Sequence, residues 1–164
     1  MKGSKVKRIL IVFLAMLLGA MPLAPNVVHA STPIEKATVT IEINDTNFPD
    51  ANFRKYVSES FDKDNNGTLS QAERDAVQRI DFSDAKSTSL TGVEHFTALE
   101  YLDCDNNQLT SLDVSNNTAL KLLYCHENQL TSLDVSNNTA LEWLTCYKNQ
   151  LTSLDVSNNT ALES

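Results

Sequence analysis

LEYLDCDNNQLTSLDVSNNTA, residues 99–119, runs without a gap into LKLLYCHENQLTSLDVSNNTA at 120–140 and LEWLTCYKNQLTSLDVSNNTA at 141–161. Twelve residues, LTSLDVSNNTAL, recur unchanged at 109–120, 130–141 and 151–162. Within each unit the apolar residues fall at fixed places: Leu99, Leu102, Cys104, Leu109, Leu112, Val114 and Ala119 in the first. The step of two from Leu102 to Cys104, repeated at Leu123–Cys125 and Leu144–Cys146, is the spacing of a strand with one buried face. A single unit of this size cannot bury its apolar residues alone. Units stacked so that each leucine touches its counterpart above and below can, and their strands then pair as a parallel sheet about 4.8 Å apart.

A strict period of this length carrying L-x-x-L-x-L/C-x-x-N-x-L is the pattern of a leucine-rich repeat. Asn107, Asn128 and Asn149 close the three strands, where a stacked amide can satisfy backbone groups that the bend leaves unpaired. Val77, Ile80 and Phe82, then Leu90, Val93 and Phe96, repeat the spacing loosely and predict a degenerate first unit over 77–98. From Val77 to Ser164 the pattern LxxLxCxxNxLxxLDVSxN resembles the internalin class of bacterial leucine-rich repeat proteins, and within it the subset in which cysteine replaces a leucine. The resemblance implies an α/β repeat solenoid: a right-handed coil with a parallel concave sheet and a helical, EF-hand-like cap at its N-terminal end.

Only five positions per unit vary. They are Glu100, Tyr101, Asp103, Asp105 and Asn106, then Lys121, Leu122, Tyr124, His126 and Glu127, then Glu142, Trp143, Thr145, Tyr147 and Lys148. All lie on or beside the strand, at places whose side chains alternate away from the core, so every variable residue is expected to face solvent on the concave face. The residues that do not change are those that must stack on themselves. The variable strip carries Tyr101, Tyr124, Trp143 and Tyr147, residue types that lead at binding hot spots. One reading is a ligand-binding face, formed by Tyr101, Asp103, Asp105, Leu122, Tyr124, His126, Trp143, Thr145 and Tyr147. The other is a solvent surface that has drifted after duplication.

Cys104, Cys125 and Cys146 share one inward position. On parallel neighbours their Cβ atoms point the same way at about 4.8 Å, beyond the usual disulfide spacing of about 3.5–4.5 Å. A ladder of free buried thiols is expected. No histidine shares that face, and no C-x-x-C is present for redox chemistry.

Upstream of the repeats, DKDNNGTLSQAE at 62–73 matches D-x-[DN]-x-[DN]-G-x₅-E at every position. Asp62, Asp64 and Asn66 would give side-chain oxygens, Thr68 a carbonyl, Ser70 a direct or water-bridged contact and Glu73 two oxygens, with Gly67 making the turn. Pro49 and the run Phe53, Val57, Phe61 predict the incoming helix, and Ala72, Ala76, Val77 and Ile80 the outgoing one. The helical cap is assigned to 47–80. A lone loop with three formal charges is expected to hold calcium weakly, in the extracellular range of about 10⁻⁴–10⁻³ M, in a structural role.

The first thirty residues read as a signal peptide: MKGSKVKR is basic, ILIVFLAMLLGA apolar, and Val28 and Ala30 are the small residues before Ser31. Residues 31–46 are expected to be an exposed lead with one weak strand near Ala37–Ile43. Over all 164 residues the net charge is −8, and removing four basic residues with the leader brings it near −12. Such acidity disfavours nucleic acid and anionic membrane surfaces and suits cations. The chain stops at the opening of a fourth unit, without a far cap, so a fragment of a longer surface protein is expected. His95 and His126 stand in no recognisable catalytic arrangement and no enzyme is expected. Two functions remain: a secreted or surface-exposed protein that binds a protein or glycan ligand, and a passive surface spacer with no ligand of its own.

Overall fold

The computed structural model describes residues 39–163. The proposed leader, and the lead as far as residue 38, lie outside them. Four three-residue strands, β3 (Arg79–Asp81), β4 (Tyr101–Asp103), β5 (Leu122–Tyr124) and β6 (Trp143–Thr145), form one parallel sheet in sequence order. They follow β1 (Ile41–Glu42), α1 (Ala51–Phe61), β2 (Thr68–Leu69) and α2 (Gln71–Asp75). The register places Ile80 beside Leu102, Leu102 beside Leu123 and Leu123 beside Leu144. Each repeat unit therefore sits on the one before it, with equivalent positions side by side. Leu99, Leu102, Cys104, Leu109, Leu120, Leu123, Cys125, Leu130 and Leu141 are completely buried between them.

After each strand the chain bends through a left-handed residue: Asp84 at φ 53°, Asn106 at 52°, Glu127 at 53° and Lys148 at 52°. That conformation is unfavourable for residues with a Cβ. It is held by bonds to the next unit, where the N–H groups of Asp84, Asn106 and Glu127 donate to the carbonyls of Asp105, His126 and Tyr147. The strand-end asparagines complete the bend. Asn128 accepts from the Leu109 N–H at 3.0 Å and donates to the carbonyls of Cys104 (2.9 Å) and Cys125 (3.2 Å). Asn107 and Asn149 repeat the arrangement one unit to either side.

A second asparagine ladder runs along the opposite turn. Asn117 donates to the carbonyls of Val93 and Phe96, Asn138 to those of Val114 and Asn117, and Asn159 to those of Val135 and Asn138. These amides tie each unit to the previous one.

The N-terminal part begins with β1 (Ile41–Glu42) and α1 (Ala51–Phe61) and continues with β2 (Thr68–Leu69) and α2 (Gln71–Asp75). Asp50 caps α1, accepting from the N–H groups of Asn52 and Phe53. Its other oxygen takes the Thr88 N–H at 3.0 Å, which joins the helix to the first repeat unit. Burial pushes the Asp50 carboxyl up, but these hydrogen bonds outweigh it and hold the group below the usual carboxylate range. From α1, Phe53 packs on Phe82 and Phe61 on Phe96.

Two expectations change. The outgoing helix is only five residues long: Ala72 and Ala76 are exposed, and Val77 and Ile80 are buried beyond its end, Ile80 in β3. The lead is not wholly exposed, because β1 pairs antiparallel with β2 and half-buries Ile41 and Ile43 against the core. Among the described residues no helix is long and apolar enough to cross a membrane.

Candidate functional site

The variable positions lie in three rows across the sheet. Tyr101, Leu122 and Trp143 are neighbours in the first, and Asp103, Tyr124 and Thr145 in the second. Asp105, His126 and Tyr147 follow beyond the strand ends. Trp143 and Tyr147 are the large exposed aromatics, at 39% and 54% exposure. Tyr101, Leu122 and Tyr124 are half-buried.

Part of this strip makes contacts within the chain. The Arg79 guanidinium lies 3.5 Å from the Tyr101 ring centre, and the Tyr101 hydroxyl donates to Asp103 Oδ2 at 3.2 Å. Tyr101 and Tyr124 meet with ring centres 5.5 Å apart. His126 Nε2 is 2.9 Å from Asp105 Oδ2, both side chains are more than four-fifths buried, and the Tyr147 ring stacks on the imidazole at 4.5 Å. The expectation that every variable residue faces solvent is therefore corrected for Asp105 and His126. Tall neighbours cover them, an effect that alternation along a strand cannot reveal. Burial, then the adjacent Asp103 charge, pushes the Asp105 carboxyl up, while a charged His126 draws it down. His126 Nδ1 and Thr145 Oγ1 are buried without hydrogen-bond partners. The strip offers π-faces and carboxylate acceptors, with the Arg79 guanidinium beside Tyr101.

The second region is the loop between α1 and β2. One carboxylate oxygen from each of Asp62, Asp64 and Glu73 lies within 4.8 Å of the others. Asp62 is buried and accepts from the N–H groups of Asn66 (3.1 Å) and Gly67 (2.9 Å), which curls the chain around it. Gly67 makes that turn at φ 80°. Asn66 Oδ1 accepts from the Thr68 N–H at 2.7 Å. Ser70 and Glu73 form a capping box for α2, with Ser70 N–H and Oγ both donating to Glu73 Oε2 at 2.8 Å. Glu73 Oε1 accepts from the Lys63 N–H at 2.8 Å. The hydrogen bonds from Ser70 hold the Glu73 carboxyl below its usual range. Three converging carboxylates in an all-oxygen loop fit a hard divalent cation. Ser70 Oγ, expected as a direct or water-bridged contact, donates here to Glu73 Oε2.

Cys104, Cys125 and Cys146 are free, the first two buried and the third half-buried. Burial raises all three thiols; with Cys146 beside it, Cys125 is pushed up to about 12. Such thiols are inert at neutral pH.

A parallel sheet of stacked repeats with leucine, cysteine and asparagine at matched places is a leucine-rich repeat architecture, and among known proteins it is similar to internalins of Listeria. Over 82 residues, half of this chain, the sequence is 39% identical to Internalin J of Listeria monocytogenes serotype 4b (strain F2365). The functional domain of Listeria InlJ, described as including a cysteine ladder, superposes with a TM-score of 0.70 at 39% identity over 77% of this chain. An internalin, inlF, from the same species gives 0.67 at 28% identity over the same share. The chain spans 9% of the length of Internalin J, and 28% and 38% of the two solved chains. No family model matches the sequence.

Proposed function

We propose that this chain is part of an exported bacterial leucine-rich repeat protein, a right-handed solenoid with an EF-hand-like cap. It binds a protein or glycan at the cell surface through its concave, strand-bearing face. One observation carries the reading: invariant residues fill the core while the variable ones gather on the face of the sheet that bears Tyr101, Tyr124, Trp143 and Tyr147. Contiguous aromatic surface of this kind marks interaction sites. The likeness to Listeria internalins supports a surface-interaction role. The cap loop holds calcium through Asp62, Asp64, Asn66, the Thr68 carbonyl, Glu73 and a direct or water-bridged contact from Ser70. At ten times its dissociation constant the ion stabilises the fold by about 1.4 kcal/mol.

The spacer reading is favoured by a different observation: Tyr101, Asp105 and His126 are occupied by contacts within the chain. Replacing Tyr101, Tyr124, Trp143 and Tyr147 together by alanine separates the two. Capture of surface or host extracts is measured beside the melting temperature. Binding lost at a melting temperature lowered by only a few degrees supports recognition; capture that survives the quadruple change removes it and leaves the spacer.

A further inference from the structure

We infer that the cation site has a second half, supplied by the N-terminal strand β1, so that loading the loop and docking residues 39–44 are one coupled event. The inference rests on the calcium reading of the loop.

An EF-hand loop ordinarily pairs its short strand with that of a second loop, and this chain has one loop. The place is taken by β1, with Ile41 opposite Leu69 and Glu42 opposite Thr68. The register has a chemical consequence. Antiparallel partners alternate between pairs that exchange backbone hydrogen bonds and pairs whose N–H and C=O groups turn outward. Ile43 N–H donates to the Gly67 carbonyl at 3.0 Å, which makes Glu42 with Thr68 an outward-turned pair. The Thr68 N–H accordingly lands on Asn66 Oδ1 inside the loop, and the Thr68 carbonyl turns to the same side. That carbonyl is the backbone ligand the loop must present.

β1 is held by groups next to the ligands. Arg74, directly after Glu73, is buried, and its Nη2 donates to the Val39 carbonyl at 2.6 Å. Its Nε bonds the Ser70 carbonyl at 3.4 Å. At the other end Asn47 Nδ2 donates to the Glu42 carbonyl at 2.9 Å. A two-stranded pair this short is marginal without such anchors. An ion that fixes the Thr68 carbonyl and Glu73 steadies both sides of the joint, and by reciprocity the docked strand raises affinity for the ion.

The test uses the full chain, with calcium chloride as the probe. Calcium affinity is measured by calorimetry, and backbone exchange of the segment around Ile43 by mass spectrometry, with and without the ion. Calcium is expected to slow exchange at Ile43, and Ile43→Pro, which removes the N–H bonded to Gly67, to weaken calcium about tenfold. Should that change disrupt the cap, Asn47→Ala removes only the side-chain tie to Glu42 and is expected to weaken calcium about threefold. If wild type binds calcium while exchange at Ile43 stays the same and both variants bind as tightly, the coupling is wrong and the loop reading stands. If wild type takes up no calcium at about 10 mM, the loop reading itself fails and the inference falls with it.

Discussion

Asparagine and cysteine do different work on the same scaffold. A bend that reverses the chain after each short strand leaves carbonyls pointing into a dry interior, where an unpaired polar group costs about 1–3 kcal/mol. One asparagine per unit answers that at the strand end, and a second does so at the far turn. The first ladder was legible in the sequence, because Asn107 and its repeats close an alternating apolar run. The second was not. The partners of Asn117 are the carbonyls of Val93 and Phe96, more than twenty residues upstream in a different kind of turn, and nothing local to Asn117 points to them. The cysteines fill space. Because burial raises Cys125 to about 12, the unfolded chain gives up that proton first as pH rises. Between about 9 and 12 the unfolded state then binds fewer protons, and the thiol's contribution to stability is lost across that window. Urea unfolding at several pH values should show stability falling there in wild type and falling less steeply in Cys125→Ala. Equal slopes would mean that the thiol is not shielded.

Among the elements, the joint between cap and repeats is the most exacting. Gly92 lies at φ 107°, and a Cβ there would sit 2.2 Å from Cδ1 of Phe48 and 2.7 Å from the Asn47 carbonyl. Phe48 is itself fully buried against Phe53 and His95. Gly92→Ala therefore combines backbone strain with a clash that the ring cannot escape. It is expected to lower stability by about 3 kcal/mol in urea unfolding; a loss under about 1 kcal/mol would show that the joint yields. The sequence made α1 and the three strands of the exact repeats legible, since each follows a period of its own. It overextended α2, because Ala72 and Ala76 look like a helical face yet are solvent-exposed, and Ile80 is drawn into the sheet by Leu102. It also left β1 a weak strand without a partner, since two residues carry no periodicity and the pairing with Thr68–Leu69 is decided by tertiary contact.

For the molecule as a whole, one consequence of self-stacking dominates: each unit sees only its neighbours. The residues that could contact a partner were separable by comparing the three units with one another, without any relative to align. The strand positions among them fall side by side in the sheet register, but the openness of each was not legible. Asp105 and His126 bond across units and Tyr147 stacks on the imidazole, a depth that depends on neighbouring side-chain height. If stacking is the organising principle, a whole unit is removable and a part of one is not. Excising residues 120–140 leaves the Leu102 strand beside the Leu144 strand and brings Asn149 to the place of Asn128. A crystal structure of that shortened chain is the direct measurement. The account expects Leu102 to face Leu144 in a three-stranded parallel sheet, with Asn149 accepting from the Leu109 N–H and the cap unchanged. A Tyr101–Asp103 segment without a parallel partner, or a chain that no longer folds, would contradict it.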